Sequence, residues 1–300
     1  MSPLLCGYVG EKFNHFLPHA LGIKPMIEHL VSNPDSLWWA MVIFTIIEGV
    51  VGFLFMLGIF TRLMSIGVFS LAMGILLGSG WLGTTCLDEW QIGILGVAAG
   101  FTIFFSGGGK YSLDEYFIRS NKSFASTKWF SFVGSGILPL RENIVNKTVL
   151  IGSVFILGLT LFTNQYFHGG VYGTLHNKSV KPHVTITNAQ IVNNELSFTV
   201  FRDEGADVYG SFLIGVQVLN AQQEVVFEQN QTQLSQIPST QIKNEYVAKV
   251  KPGKHSLILP LGARAILNFK NDIFENKKGT YTLVLLDISG ASWKETIVVE

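Results

Sequence analysis

The chain has 300 residues, 48% of them hydrophobic and only 14% charged, and its mean hydropathy of +0.37 lies above the range of ordinary soluble domains. Lys and Arg number 21 and so do Asp and Glu, for a formal net charge of +0. That balance excludes the strongly basic classes, nucleic-acid binders and polybasic membrane-surface proteins, and leaves an integral membrane protein. Two cysteines, Cys6 and Cys86, are too few for a disulfide framework; they either pair once or stand as independent small residues.

The N-terminal stretch MSPLLCGYVGEKFNHFLPHALG has neither a basic start nor an apolar core long enough for a signal peptide. It carries Lys12, His15 and His19, the two histidines four apart but interrupted by Pro18. Four apolar runs follow, at Trp38–Phe60, Leu63–Gly80, Trp90–Ser106 and Thr148–Phe167. Each suits a helix crossing a bilayer, which takes about 17 to 25 residues. Gly, Ser and Ala recur within them, as in GILGVAAG, which favours close helix packing in lipid.

Lys and Arg orient these spans. The first connection holds Arg62, and the long third one holds Lys110, Arg119, Lys122, Lys128, Arg141 and Lys147, whereas Gly80–Trp90 has no basic residue. Positive charge stays in the cytoplasm. The N-terminal segment, Gly80–Trp90 and everything after the fourth span are therefore expected outside, with Arg62 anchoring the inner end against lipid phosphate.

The turn GWLGTTCLDEW concentrates polar chemistry: Trp81, Cys86, Asp88, Glu89 and Trp90. With His15, His19, His168 and His176 at the same outer level, one reading is a pocket with a redox thiol or soft-metal ligand and histidine nitrogens. The other reading is architectural: interfacial tryptophans, a glycine turn, and acids favouring the next helix's N-terminus. With no CxxC and no HExxH, no metal site is assigned. Glu48 lies deep in the first span. An ionisable group there must be paired or face a cavity, so it is expected to point into the bundle, where it accepts a quinol proton or bonds a neighbouring helix. SGGGKYSLDEYF lacks the GxxxxGK[ST] frame of a phosphate loop and reads as a helix exit leading into an amphipathic segment.

Beyond Gly169 the composition changes. HVTITNAQIV, ELSFTVFR, GSFLIGVQVLN, QEVVFEQ, HSLILPL, TYTLVLLDI and KETIVVE alternate in polarity and are separated by NN, DEG, PG, KKG and SG, the pattern of a β-sandwich. The expected architecture is thus an α-helical membrane bundle of about four transmembrane helices, residues 1–168, followed by an all-β immunoglobulin-like sandwich, residues 169–300.

GYVGEKFNHFLPHA, EGVVGFLFMLGIFTRL, GWLGTTCLDEWQIG and SGGGKYSLDEY resemble the DoxD membrane subunit of thiosulfate:quinone oxidoreductase, within the wider DoxX-like group. FHGGVYGTLHNKS, FTVFRDEGADVYGSFLIGVQ, KNEYVAKVKPGKHSLILPLGARA and GTYTLVLLDISG resemble the companion DoxA subunit. The likeness implies a fusion of the two in one polypeptide. It also implies a further hydrophobic helix before GEKFNHF, so either the reading frame extends upstream or the segment is the remnant of a bundle with one more span. The activity implied is oxidation of thiosulfate to tetrathionate, with a membrane quinone as electron acceptor and no bound cofactor motif. Cys86, Asp88, Glu89 and Glu48 are then the candidate catalytic residues. Lys12, His15, His19, His176, Trp81 and Trp90 are the candidates for binding the substrate, a dianion whose charge the cationic groups offset. The expected partners are membrane lipid, quinone and thiosulfate, with a homo-oligomer or other membrane subunits also open. The rival readings are a non-catalytic anchored module whose sandwich binds a partner, and a carrier for a small sulfur species.

Overall fold

The structure, a computed structural model, describes residues 13–80, 89–175, 181–205, 211–271 and 278–299. The chain divides into two compact units, one made of residues up to Trp38 together with those from Lys178 onward, the other of Trp39–Asn177.

The helices are α1 (Lys24–Ser32), α2 (Pro34–Leu57), α3 (Thr61–Ser79), α4 (Glu89–Ser106), α5 (Leu113–Arg119), α6 (Lys128–Val133), α7 (Glu142–His168) and, within the sheets, α8 (Gln231–Ser235). Of these, α2, α3, α4 and α7 are long and apolar enough to cross a membrane, in agreement with the four runs read from hydropathy. The last begins earlier than its apolar run because its first turn, Glu142–Val145, is polar enough to escape a hydropathy window. In α4, Gly93, Gly96 and Gly100 form a stripe against α3. A Cβ on them would come within 2.9 Å of Leu76 Cβ, 2.5 Å of Ala72 Cβ and 2.8 Å of the Ser65 carbonyl. Only glycine allows two helices to approach this closely.

The second unit is all antiparallel. Strands β1 (His183–Val192), β2 (Glu195–Glu204), β8 (Arg264–Lys270) and β5 (Ile242–Asn244) form one sheet in the order β1-β2-β8-β5. The other runs β10-β9-β3-β7-β6, from β10 (Ser292–Val299), β9 (Gly279–Asp287), β3 (Ser211–Leu219), β7 (Leu257–Leu259) and β6 (Lys251–Pro252). β4 (Val225–Asn230) pairs with β3 off that path. Alternate residues fill the space between the sheets: Leu196, Phe198 and Val200 of β2, Ala265, Leu267 and Phe269 of β8, and Leu283 and Leu285 of β9, as a period of two demands. The strand RAILNFK was not among the runs read from sequence. It merges with HSLILPL into one apolar stretch, and only the turn at Pro260–Ala263 divides the two.

Residues 13–32 pack on the outer face of the first sheet. Ile27 and Val31, four apart on α1, join Leu17, Ala20 and Tyr246 in a second, smaller core. Asn14 locks the segment in place: its Nδ2 donates to the Gly262 carbonyl at 2.8 Å and its Oδ1 accepts from the Ala248 N–H at 3.2 Å. Tyr246 donates its hydroxyl to Glu28 Oε1 at 2.8 Å, and the Val247 N–H reaches the Val31 carbonyl at 3.1 Å.

Candidate functional site

The helical unit has a polar node at each end. At the end where α2 turns into α3, the buried Asp114 carboxylate accepts from the N–H groups of Phe60 and Thr61, both at 2.9 Å. It also accepts from Thr61 Oγ1 at 2.7 Å and Ser135 Oγ at 3.1 Å. These bonds hold Phe60 in the left-handed conformation at φ 48°, which costs a residue with a Cβ roughly 1–2 kcal/mol, and they supply an acceptor to the first N–H groups of α3.

Arg62 lies beside this carboxylate and is 2% exposed. Its Nε donates to the Phe104 carbonyl at 2.9 Å, and its two terminal nitrogens donate to the Ser131 and Gly136 carbonyls, each at 2.6 Å. The expected contact with lipid phosphate is therefore corrected: the guanidinium is enclosed, because three backbone carbonyls from two other segments match its fork of donors. SGGGKYSLDEYF is no phosphate loop; it delivers Asp114 to α3, and the pairing of two stretches remote in sequence was invisible to a window reading. The only pointer was one buried-type cation in a span connection and one acid after a glycine run.

At the other end, where α3 finishes, α4 starts and α7 finishes, Trp90 Nε1 donates to Thr163 Oγ1 at 2.8 Å. Thr163 in turn donates to the Leu159 carbonyl at 2.7 Å. The Trp90 ring meets the His168 ring edge to face with centroids 6.1 Å apart, and Phe167 lies fully buried beside them. Glu89 opens α4, where the helix dipole favours an acid, and His168 closes α7. An oxygen of Glu89 and Nε2 of His168 are both shielded from solvent. Glu89, Trp90 and His168 thus lie at one end of the bundle. Thr163 was missed because a lone threonine in an apolar helix carries no sequence signal.

His15 and His19 belong to the other unit. His15 is buried, and His19 Nε2 lies 3.5 Å from Glu204 Oε1 at the end of β2. Lys12, Trp81, Cys86, Asp88 and His176 lie outside the described residues, as does Cys6. Glu48 departs from expectation. It is exposed on α2 rather than turned into the bundle, because the buried side chains of α2 are only Leu37 and Val51, a stripe too narrow to take it in. Among the described residues no group of three or more His, Cys, Asp or Glu side chains is placed to hold a metal ion.

Residues 1–141 match the family TQO small subunit DoxD, and residues 167–296 match TQO small subunit DoxA. The chain joins a DoxD region to a DoxA region. Both are subunit families of thiosulfate:quinone oxidoreductase. In the folded chain the two matches are not separate bodies, since residues 13–38 of the DoxD region share a compact unit with the DoxA sheets. Among solved structures, a superoxide reductase (neelaredoxin) from Archaeoglobus fulgidus is 11% identical over 44% of this chain and 98% of that one, with a TM-score of 0.19.

Proposed function

We propose that this chain is a thiosulfate:quinone oxidoreductase in one polypeptide, taking two electrons from two thiosulfate ions to give tetrathionate and delivering them to a membrane quinone. The observation that carries this reading is the presence of DoxD and DoxA in fused order, with the start of one hydrogen-bonded to the other through Asn14 and Glu28.

In the reading we favour, Cys86 is the sulfur nucleophile. Its thiolate and the terminal sulfur of one thiosulfate lose two electrons as an S–S bond forms, leaving a mixed thiosulfonate on Cys86. A second thiosulfate attacks the sulfur bound to Cys86, the thiolate leaves, and tetrathionate is released. The two electrons, with two protons, convert quinone to quinol. Asp88 and Glu89 position and deprotonate the thiol. His176 offsets the charge of the incoming dianion, and Trp81 and Trp90 take part in binding it. Because the proposed reaction reduces quinone and takes up protons, Glu48 gives a proton to quinone rather than accepting one from quinol as expected from sequence; exposure on α2 lets a lipid-dissolved molecule reach its carboxyl without entering the bundle.

The test is thiosulfate-dependent reduction of a soluble quinone analogue by membranes carrying the wild-type chain or Cys86→Ala. Activity in the first and none in the second, at equal protein levels, supports the reading. Equal activity in both removes Cys86 from it, and no activity in either leaves the anchored binding module as the better account.

A further inference from the structure

Between α1 and the outer face of the first sheet lies a cavity of about 230 Å³ that none of the roles above uses. Its floor is a cross-strand row: Thr185 of β1 stands opposite Phe201 of β2, and Phe201 stands opposite Arg264 of β8. Thr187, two residues along β1, shares the same face. Leu17, Lys24 and Glu28 close it from the N-terminal segment.

The donors in this cavity are incompletely used. Arg264 spends Nε on Glu245 at 2.8 Å and Nη1 on the Tyr246 hydroxyl at 3.4 Å, which fixes the guanidinium while its second terminal nitrogen has no partner among the described residues. Lys24 Nζ reaches only the Pro18 carbonyl, at 3.4 Å, one acceptor for a group with three protons. The Thr187 hydroxyl has no hydrogen-bond partner among the described residues. Glu28, the acid in the lining, is engaged by Tyr246. Cationic and hydroxyl donors thus surround an apolar patch made by Phe201 and Leu17.

We propose that this cavity binds a small sulfur oxyanion, its oxygens taken by Arg264, Lys24 and Thr187 and its soft sulfur end resting on Phe201. The choice of sulfur oxyanion rests on the thiosulfate reading above; the choice of cavity rests on these side chains. A fully hydrated tetrahedral anion such as sulfate gains the same donors but must set an oxygen against Phe201 and Leu17, where nothing replaces its water. Thiosulfate sets a weakly hydrated sulfur there instead. Glu28 keeps the lining from accumulating net positive charge, so the site releases its ligand readily.

Calorimetric titration of the full chain in lipid nanodiscs, without quinone and at constant ionic strength, tests this with sodium thiosulfate and sodium sulfate as probes. The expected result is thiosulfate binding about tenfold tighter than sulfate, weakened about fivefold or more by Lys24→Gln and by Thr187→Val, both surface changes compatible with the fold. Thiosulfate binding that neither variant alters, or no preference over sulfate, overturns the proposal. A parallel quinone-reduction assay separates this from the function itself. Wild-type turnover with binding untouched by the variants sinks the cavity and leaves the enzyme standing; variant-sensitive binding without turnover sinks the enzyme and leaves the cavity.

Discussion

Asn14 and Gly262 are hydrogen-bonded across 248 positions of sequence, and the backbone of one sits where a side chain on the other would have to go. A Cβ on Gly262 would lie 1.9 Å from the Asn14 carbonyl oxygen, and Gly262 has φ +73°. Gly262→Ala therefore combines a steric clash with an unfavourable left-handed backbone. We expect it to release residues 13–32 from the sheet and to cost more than about 1 kcal/mol. Limited proteolysis reads this directly: cleavage near Leu17–Lys24 should accelerate in the variant while the sheets stay resistant. Asn14→Ala should act in the same direction, leaving the Ala248 N–H and Gly262 carbonyl unsatisfied at about 1–3 kcal/mol.

Arg62 and Asp114 should behave as one structural unit. Arg62→Leu strands three carbonyls and an acid, and Asp114→Leu strands the cation and the first turn of α3. Each change leaves several buried polar groups without partners, at about 1–3 kcal/mol per group. Arg62→Lys should rescue little, since an ammonium cannot span three carbonyls held in fork geometry. Thermal unfolding in detergent measures both effects. A neutral Arg62→Lys would show that charge alone, and not the fork, matters at this node.

Tyr246 provides a pH-dependent probe of the same docking. Burial, with the Glu28 carboxylate as a further cause, raises its pKa above the ordinary 10.0, against a smaller lowering from Arg264. A raised folded-state pKa means the folded protein holds the proton more tightly than the unfolded chain. The stabilisation is then complete below about pH 10 and is lost as pH rises through the folded value. Stability of the docked segment should fall on the alkaline side, and Tyr246→Phe should remove this limb of the stability profile. An alkaline limb that persists in the variant would assign it to another group.

The Trp90–Thr163 bond is tested by a double-mutant cycle. Trp90→Phe keeps the ring against His168 but removes the indole donor, and Thr163→Val removes the acceptor. Each single change should cost about 1 kcal/mol, with the double little worse than either. Unfolding midpoints of the four proteins give the coupling.

Much of this architecture was legible in the sequence, for identifiable reasons. Apolar length alone locates α2, α3, α4 and α7, and the glycines of GILGVAAG already suit close helix packing, whose partner the structure identifies as α3. Alternation locates most strands, but RAILNFK is hidden by the apolar turn before it. What sequence could not supply is pairing at a distance. His15 and His19 read from sequence only as candidates for offsetting the substrate's charge, and the sequence gives no sign that the stretch carrying them is bound to the sheets through Asn14. Glu48 was assigned to the interior from the cost of a carboxylate in lipid, a rule that states what the group needs and not which neighbour provides it. Arg62 fits the same lesson: a basic residue at a span end reads as an anchor until its three carbonyls are seen.

The most direct measurement is product stoichiometry with the purified full chain in quinone-containing proteoliposomes. The account predicts one tetrathionate and one quinol for every two thiosulfate ions consumed, with no turnover when either substrate is left out. A folded protein with an intact cooperative thermal transition that forms no quinol from thiosulfate, or forms quinol without tetrathionate, contradicts it.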